Sequence, residues 1–514
     1  MLDWGRALLA VVMGGGKTVI TAAVIEELLD NEEVEAGLIV VPPSLKFQWA
    51  RKLEEFAPGS HVSVINGTPS QRARQYAEAA EWAEYIILGY SQVVDDWKEV
   101  RALPRDFVVC DEVQAIKNPT AKRTKKIKKL QAPIKFGLTG QPLENRPEDV
   151  FHILEWLDPE VLGRFDIFDR TFVVRNRWGR PVRYKNLPLF RETLRDQVMI
   201  RYSRDDIKEQ LPDQAEDTFV IAFDTPTKRL YKVIVSDLIE ALESAAEMTR
   251  SFDLASYYAG RNEESAAERA VRGRIMARLT CARMVADHPA LLRMSADLYD
   301  VTQVKGEAGA LKAGSAYAHE LKQRGLLDKI PASPPKFKET VETVRELLGE
   351  DEENKVVIFS TFKPTLTWLR DALKKDAKAV LFHGDVSARD KDAAIEAFNN
   401  DPEIRLFLSS DAGGSGVDLP SGNYLINYDL PFSAGMLEQR NARIDRIASE
   451  HESILVLNFL MEHSVEEFYY EVVQRRRRLA RAVTDGKGAD RSGSINFDTG
   501  SLLEFLIGSK SDLA

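Results

Sequence analysis

Cysteine is nearly absent: Cys110 and Cys281 are the only two in 514 residues. Two cannot make a zinc cluster, and a disulfide framework is implausible at this length. Both lie in apolar stretches and read as small core residues. Histidine numbers seven, and His383, at the end of an apolar run, has no second ligand-type residue at metal spacing, so it reads as a strand-end residue. Long hydrophobic runs are missing too. Ala7 to Met13 and Gly37 to Pro43 fall well short of the ~20 residues that span a bilayer. No charged segment followed by a long apolar core opens the chain, so no secretory signal is visible and a cytoplasmic protein is expected. The net charge of −10 argues against coating nucleic acid by bulk electrostatics, while leaving room for a local basic track on an acidic body.

What is present is a globular composition, 44% hydrophobic and 29% charged, with length for about three domains. The organising stretch is Ala7 to Leu29, ALLAVVMGGGKTVITAAVIEELL. An apolar run, three glycines (Gly14, Gly15, Gly16), Lys17 and Thr18, then apolar residues at helical spacing predict strand, Gly-rich loop and helix. That is the layout of a phosphate-binding loop. Glycines let successive backbone N–H groups turn inward on phosphates, and the helix N-terminus adds partial positive charge. Lys17 is placed to reach the β- and γ-phosphates, and Thr18 to hold Mg²⁺ through its hydroxyl. The strict pattern wants a further glycine where Val11 stands, so a Gly-rich turn entering an ordinary helix stays open at this point.

Strand and helix then alternate. GLIVV ends at two prolines as a buried parallel strand does, VSVI (62–65) and YIILGYSQV (85–93) follow, and DFVVCDEVQAIKN (106–118) ends an apolar strand in the pair Asp111 and Glu112. A carboxylate at such a tip can bind Mg²⁺ while its neighbour orients an attacking water; an acidic turn capping a helix is the plainer alternative.

GGGKT, DEVQ and LTGQPLENRPEDVFHILEWL (138–157) together resemble helicase superfamily 2, specifically its Swi/Snf-type DNA translocase ATPases. The resemblance extends through LIVVPPSLKFQW, VQAIKNP, IRYSRDDIKEQLP (200–212), DTPTKRLY (224–231) and RLTCARMVADHPALL (278–292). It implies an α/β protein of two RecA-like parallel-sheet lobes with helical insertions between them, binding nucleotide between the lobes. Residues 1–222 are expected to form the first lobe with a helical protrusion, 223–332 a helical insertion, 333–484 the second lobe, and 485–514 a C-terminal tail. PASPPK (331–336) reads as a linker.

Within the second lobe, LEQRNARIDRIASE (437–450) carries Gln439, Arg443 and Arg446. Spacing of three between the arginines predicts both on one side of a helix; surface pairing is the ordinary use of such arginines. The resemblance implies that they reach the γ-phosphate, where a guanidinium stabilises transition-state charge. Gly416 and Asp418 are expected near the nucleotide. Ser44, Lys46, Thr361, Ser409, Ser410 and Gly413 match positions that would contact phosphates of one DNA strand, and Thr139 and Gly140 would couple the two sites. Such contacts position without reading sequence.

KRTKKIKK (122–129) reads either as a solvated helix face or as a contact that tracks a nucleic-acid backbone. Between Arg164 and Arg204, Phe165, Phe168, Phe172, Trp178 and Tyr184 are expected mostly to pack in the core. Of the four arginines 475–478, two or three are expected to pack against the body. The family's adenine-reading segment, with a glutamine upstream of the loop, has no counterpart in the few residues before the first strand. Weak adenine recognition, or a segment supplied from elsewhere, is therefore expected. No chromatin-reading, nuclease or zinc module is recognisable, which suits a bacterial or viral setting better than a nuclear one. The expected activity is DNA-dependent ATP hydrolysis with Mg²⁺, driving movement on duplex DNA irrespective of sequence. A strand-separating helicase of the same superfamily shares every motif, and a nucleotide-gated DNA-binding adaptor without turnover is the reading from another class.

Overall fold

The computed structural model describes residues 1–143, 146–175, 181–248, 266–304, 315–386, 388–411, 417–486 and 499–512. Trp178, Gly413 and Gly416 lie outside them. The chain divides into two compact units, one of Met1–Pro212, Ser433–Ala448 and Arg475–Ile495, the other of Asp213–Phe432, Ser449–Gln474 and Asn496–Ala514.

The first unit holds β1 (Arg6–Val11), β2 (Gly37–Val41), β3 (Val62–Val64), β4 (Tyr85–Gly89), β5 (Phe107–Asp111), β6 (Ile134–Thr139), the pair β7 (Val173–Arg175) and β8 (Pro181–Tyr184), and β9 (Met199–Tyr202). Seven of these form one wholly parallel sheet, in the order β3-β4-β2-β5-β6-β1-β9; β7 and β8 make an antiparallel ribbon. A parallel sheet covered on both faces needs strands apolar on both sides, and GLIVV, YIILG and FVVCD are buried along their whole lengths. Alternation sends Leu8, Ala10 and Val108 to one core and Leu9, Val11 and Val109 to the other.

The strand order matters for function. β6 separates β1 from β5, with Ala10 opposite Thr139 and Leu138 opposite Asp111. The Gly-rich loop, the Thr139 turn and the acidic pair therefore emerge side by side at the carboxyl ends of adjacent strands, where open α/β sheets bind ligands.

The second unit contains β10 (Asp213–Ile221), β11 (Val356–Phe359), β12 (Lys378–Phe382), β13 (Ile404–Ser409), β14 (Tyr424–Asn427) and β15 (Ser453–Met461). They form a second wholly parallel sheet ordered β10-β15-β14-β11-β13-β12. β10 lies within the span assigned to the first lobe from sequence, yet it is the edge strand of this second sheet. DQAEDTFVI opens on a polar stretch because an edge strand is half solvated, and five of its nine residues are exposed. Helices Thr225–Met248, Ala266–Asp287, Ala290–Val304 and Ser315–Gln323 build a separate helical core around Leu238, Ile275 and Leu279. The last helix, Thr499–Asp512, joins that core through Leu502 and Leu506.

Phe168, Phe172 and Tyr184 are buried in the first unit's core, with Phe168 edge-on and Phe172 tilted against Phe190; Phe165 stays 41% exposed beside Phe151. Arg476 and Arg477 are buried, and Arg477 Nε lies 2.7 Å from Glu438 Oε1. Among the described residues no helix is long and apolar enough to cross a membrane.

Candidate active site

The three glycines meet three different demands. Gly14 and Gly16 sit at φ 79° and 78°, which side chains with a Cβ rarely adopt. A Cβ on Gly14 would lie 2.9 Å from Arg446 Cδ, and one on Gly15 2.7 Å from Val11 Cγ1, whereas one on Gly16 would meet nothing within 4 Å. The space over Gly16, at the N-terminus of helix Lys17–Asp30, is the cradle that a phosphate group needs. Thr18 is in the helix's first turn, and Lys17 Nζ donates to Val11 O at 3.2 Å. Burial lowers the Lys17 pKa and Arg446 adds to the effect, opposed by Glu112 and Asp111.

At the tip of β5, Asp111 is buried. Its Oδ2 accepts from Trp49 Nε1 at 2.8 Å and its Oδ1 from the Glu112 backbone N–H at 2.8 Å. Tyr90 Oη donates to Asp111 O at 2.8 Å. Glu112 takes the left-handed conformation, φ 49°, turning its side chain away from the strand direction. Its Oε2 accepts from Gln114 Nε2 and, at 3.2 Å, from Gln439 Nε2. Burial raises the pKa of both carboxyl groups, and the Asp111 charge raises Glu112 further; Lys17 works against both shifts. Adjacent carboxylates desolvated together favour an added cation.

Gln439, Arg443 and Arg446 belong by their contacts to this same unit. The expected helix over 437–450 is shorter: it runs Ala434–Asn441, with Ser433 at its N-cap. Arg443 lies in the following turn and Arg446 beyond it, so the two arginines are not presented by one helix face. The cause is a tether. Asp445 accepts from Arg204 Nε at 2.9 Å and Nη2 at 3.2 Å, drawing the chain out of helical geometry. Arg443 is buried within the field of Glu112, and Arg446 lies over Gly14.

Thr139 Oγ1 donates to Gln141 O at 2.9 Å, and a Cβ on Gly140 would be 2.6 Å from Met13 Cγ, so this turn packs directly on the entry to the Gly-rich loop. Arg201 fastens the same region, donating through Nη1 to Ala10 O at 3.1 Å and Gly140 O at 3.4 Å, and through Nε to Asp485 Oδ1 at 2.8 Å. Trp49, Tyr90, Arg201 and Arg204 escaped the sequence reading because only the sheet order brings them to the site.

The residues expected on nucleic acid fare differently. Ser44 is exposed. Lys46 is buried, its Nζ donating to Ile65 O at 2.8 Å and Asn66 Oδ1 at 3.2 Å; it is an internal tie and not a phosphate ligand. In the second unit Thr361 is exposed, but Asp429 takes its backbone N–H at 2.7 Å and its hydroxyl at 2.6 Å. Ser409 and Ser410 are buried, Ser409 Oγ donating to Ser410 O at 3.3 Å. These two hydroxyls do not face the surface. Asp418 lies in the second unit, with its backbone carbonyl accepting from Asn399 Nδ2 at 3.2 Å.

Comparison with known proteins agrees with the geometry. Residues 3–270, just over half of the chain, match the SNF2-related domain, and residues 339–448 match the Helicase conserved C-terminal domain. An uncharacterized ATP-dependent helicase of Bacillus subtilis, YqhH, is 26% identical over 93% of this chain and 76% of its own length. The DNA repair and recombination protein RAD54B of Mus musculus is 22% identical over 93% of this chain, which spans 53% of that relative. The Pyrococcus furiosus Hef helicase domain shares the fold, with a TM-score of 0.52 at 16% identity over 91% of this chain and 95% of that one. With two RecA-like parallel sheets, a Gly-rich loop beside an acidic pair and a match across both halves, the chain belongs to the SNF2 family.

Proposed function

We propose that this chain is a DNA-dependent ATPase motor of the Swi/Snf type, converting ATP hydrolysis into movement along duplex DNA. The observation that carries the reading is the joining of Gln439 to Glu112 and of Arg446 to Gly14 in one site. A nucleotide-binding adaptor has no need of a glutamine on the carboxylate that faces the reacting water.

The roles follow from position. Backbone N–H groups after Gly14 and the Lys17 ammonium hold the β- and γ-phosphates. Glu112, its pKa raised by burial and by Asp111, accepts a hydrogen bond from the attacking water and takes its proton. Gln439 and Gln114 fix the Glu112 carboxylate in orientation. Arg446 and Arg443 meet the charge that spreads over the γ-phosphoryl oxygens in the transition state. Thr18 and Asp111 would hold Mg²⁺, which would supply positive charge against the phosphate oxygens. Such ions need only one or two protein oxygens beside the substrate, which this pair supplies.

On the DNA side, support comes from the exposed Lys122, Arg123, Lys125 and Lys129 around helix Lys122–Ile127. Charge of this kind tracks a backbone without reading sequence. The test is steady-state ATP hydrolysis with no DNA, single-stranded DNA and duplex DNA. Strong stimulation by duplex that Lys17→Ala abolishes is expected; stimulation mainly by single strands would point to the strand-separating helicase, and no hydrolysis above the Lys17→Ala background would overturn the motor.

A further inference from the structure

β9 is the outer strand of the first sheet, and among the described residues no strand pairs with its far side. Val198 O and Tyr202 O accept from Leu8 and Val12 of the β1 side. By alternation the backbone N–H and C=O groups of Met199 and Arg201 point away from β1. They open on a cavity of about 630 Å³, lined by Arg191, Arg195, Tyr202, Thr484 and Gly486 among others.

The cavity is basic for a structural reason. Helix Leu187–Gln197 buries Phe190 and Leu194 in the core, which leaves Arg191 and Arg195, one turn apart, on the side that faces the groove. Among the described residues neither guanidinium has a hydrogen bond or an ion pair. The two acids of the lining are already engaged: Asp485 binds Arg201, and Asp206 accepts from the backbone N–H and hydroxyl of Ser203. Gly486, at φ 68°, permits the arrangement, since a Cβ there would fall 2.1 Å from Arg191 Nη1.

We propose that this groove is a docking site for an extended acidic peptide segment of a partner protein, which adds a strand to the free side of β9 and places carboxylates on Arg191 and Arg195. A strand edge offers main-chain hydrogen bonds, and alternate side-chain positions supply the selectivity. Carboxylates suit the two guanidinium forks. A nucleic-acid strand would use the arginines but leave the Met199 and Arg201 backbone groups unmatched, so the peptide is favoured. The groove adjoins the nucleotide site through the Tyr202 O bond to Val12 N, 2.9 Å long and two residues before Gly14, so an occupant stiffens the strand that carries the Gly-rich loop.

The test is fluorescence anisotropy of the full chain with a fluorescein-labelled Glu-Val-Glu-Val-Glu-Val peptide. It needs no ATPase activity, so its failure is separable from failure of the motor reading. Saturable binding is expected, weakened about tenfold or more by Arg195→Glu and further by Arg191→Glu with Arg195→Glu. The doubly reversed protein should instead bind the Lys-Val counterpart, and N-methylation of alternate peptide nitrogens should weaken binding by a similar factor. Because Arg195 is exposed, the single variant reports binding even if the double one folds poorly. Absence of saturable binding, indifference to N-methylation, or indifference to Arg195→Glu each overturns the proposal. So does displacement by a single-stranded oligothymidylate at lower concentration than by unlabelled peptide, which would make the groove a nucleic-acid site.

Discussion

The loop ends of the two parallel sheets use the same residue types in opposite ways. In the first unit Lys17, Asp111 and Glu112 converge, with Arg446 over Gly14 and Gln439 on Glu112. In the second, several hydroxyls and carboxylates beside the strand tips are bonded to one another. Asp429 holds Ser360 Oγ at 2.7 Å and both donors of Thr361, while Asp287 accepts from Thr365 Oγ1 at 2.6 Å. One set brings an ammonium, two carboxyl groups and two arginines together; the other pairs hydroxyls with carboxylates in its own frame. Internal partners occur in both units, so what marks the first is the convergence of Lys17 with the two carboxyl groups and the arginines.

The largest effect that would break this comparison is at Arg446. Arg446→Ala should lower kcat by roughly 10³-fold while nucleotide binding persists, the size expected for an arginine that acts on the transition state; single-turnover hydrolysis beside equilibrium nucleotide binding separates the two. Lys17→Ala should cost roughly 10²-fold or more in kcat/KM and weaken nucleotide binding as well, read from the same pair of measurements.

In the second unit the sensitive group is His288. It packs against Trp368 at 4.5 Å and Phe337 at 5.3 Å between ring centroids, and burial lowers its pKa to about 4. The unfolded chain then binds the extra proton between its ordinary value of 6.5 and about 4. The His288 contribution to stability is present above pH 6.5 and is lost as pH falls through that window, by about 3 kcal/mol from this group alone. Denaturant melts of the second unit's tryptophan signal at pH 7 and pH 4.5 should show the loss, and His288→Asn should flatten it.

A smaller effect sharpens the contrast inside the first unit. Lys46→Ala should cost about 1 kcal/mol of stability by removing the ammonium's hydrogen bond to Ile65 O, which keeps its bond from Gln92 Nε2, with duplex affinity of the folded protein unchanged. Lys125→Glu should do the reverse, weakening duplex binding in a salt-dependent way and leaving stability alone.

These outcomes bear on how far the sequence could be read. Strands buried on both faces, such as GLIVV and FVVCD, announce themselves as continuous apolar runs, and the Gly-rich loop and acidic pair need residue types that little else requires. β10 was hidden because a half-solvated edge strand opens on a polar stretch. The end of the helix at Asn441 was hidden because an ion pair with Arg204, more than two hundred residues away in the chain, overrides local helical periodicity. The burial of Lys46 was hidden for a related reason: nothing local distinguishes an ammonium that ties carbonyls together from one that waits for phosphate. Residue type and spacing specify the chemistry, whereas partners across the sheet decide which side chains remain available for it.

The central claim is that hydrolysis at the Lys17–Glu112–Arg446 site drives movement on duplex DNA. Displacement of a fluorescent third strand from a triplex tests it most directly, with the underlying duplex strands monitored for separation. ATP-dependent release of the third strand from an intact duplex, absent in Arg446→Ala, is the predicted result. Hydrolysis stimulated by duplex without any release of the third strand would contradict it.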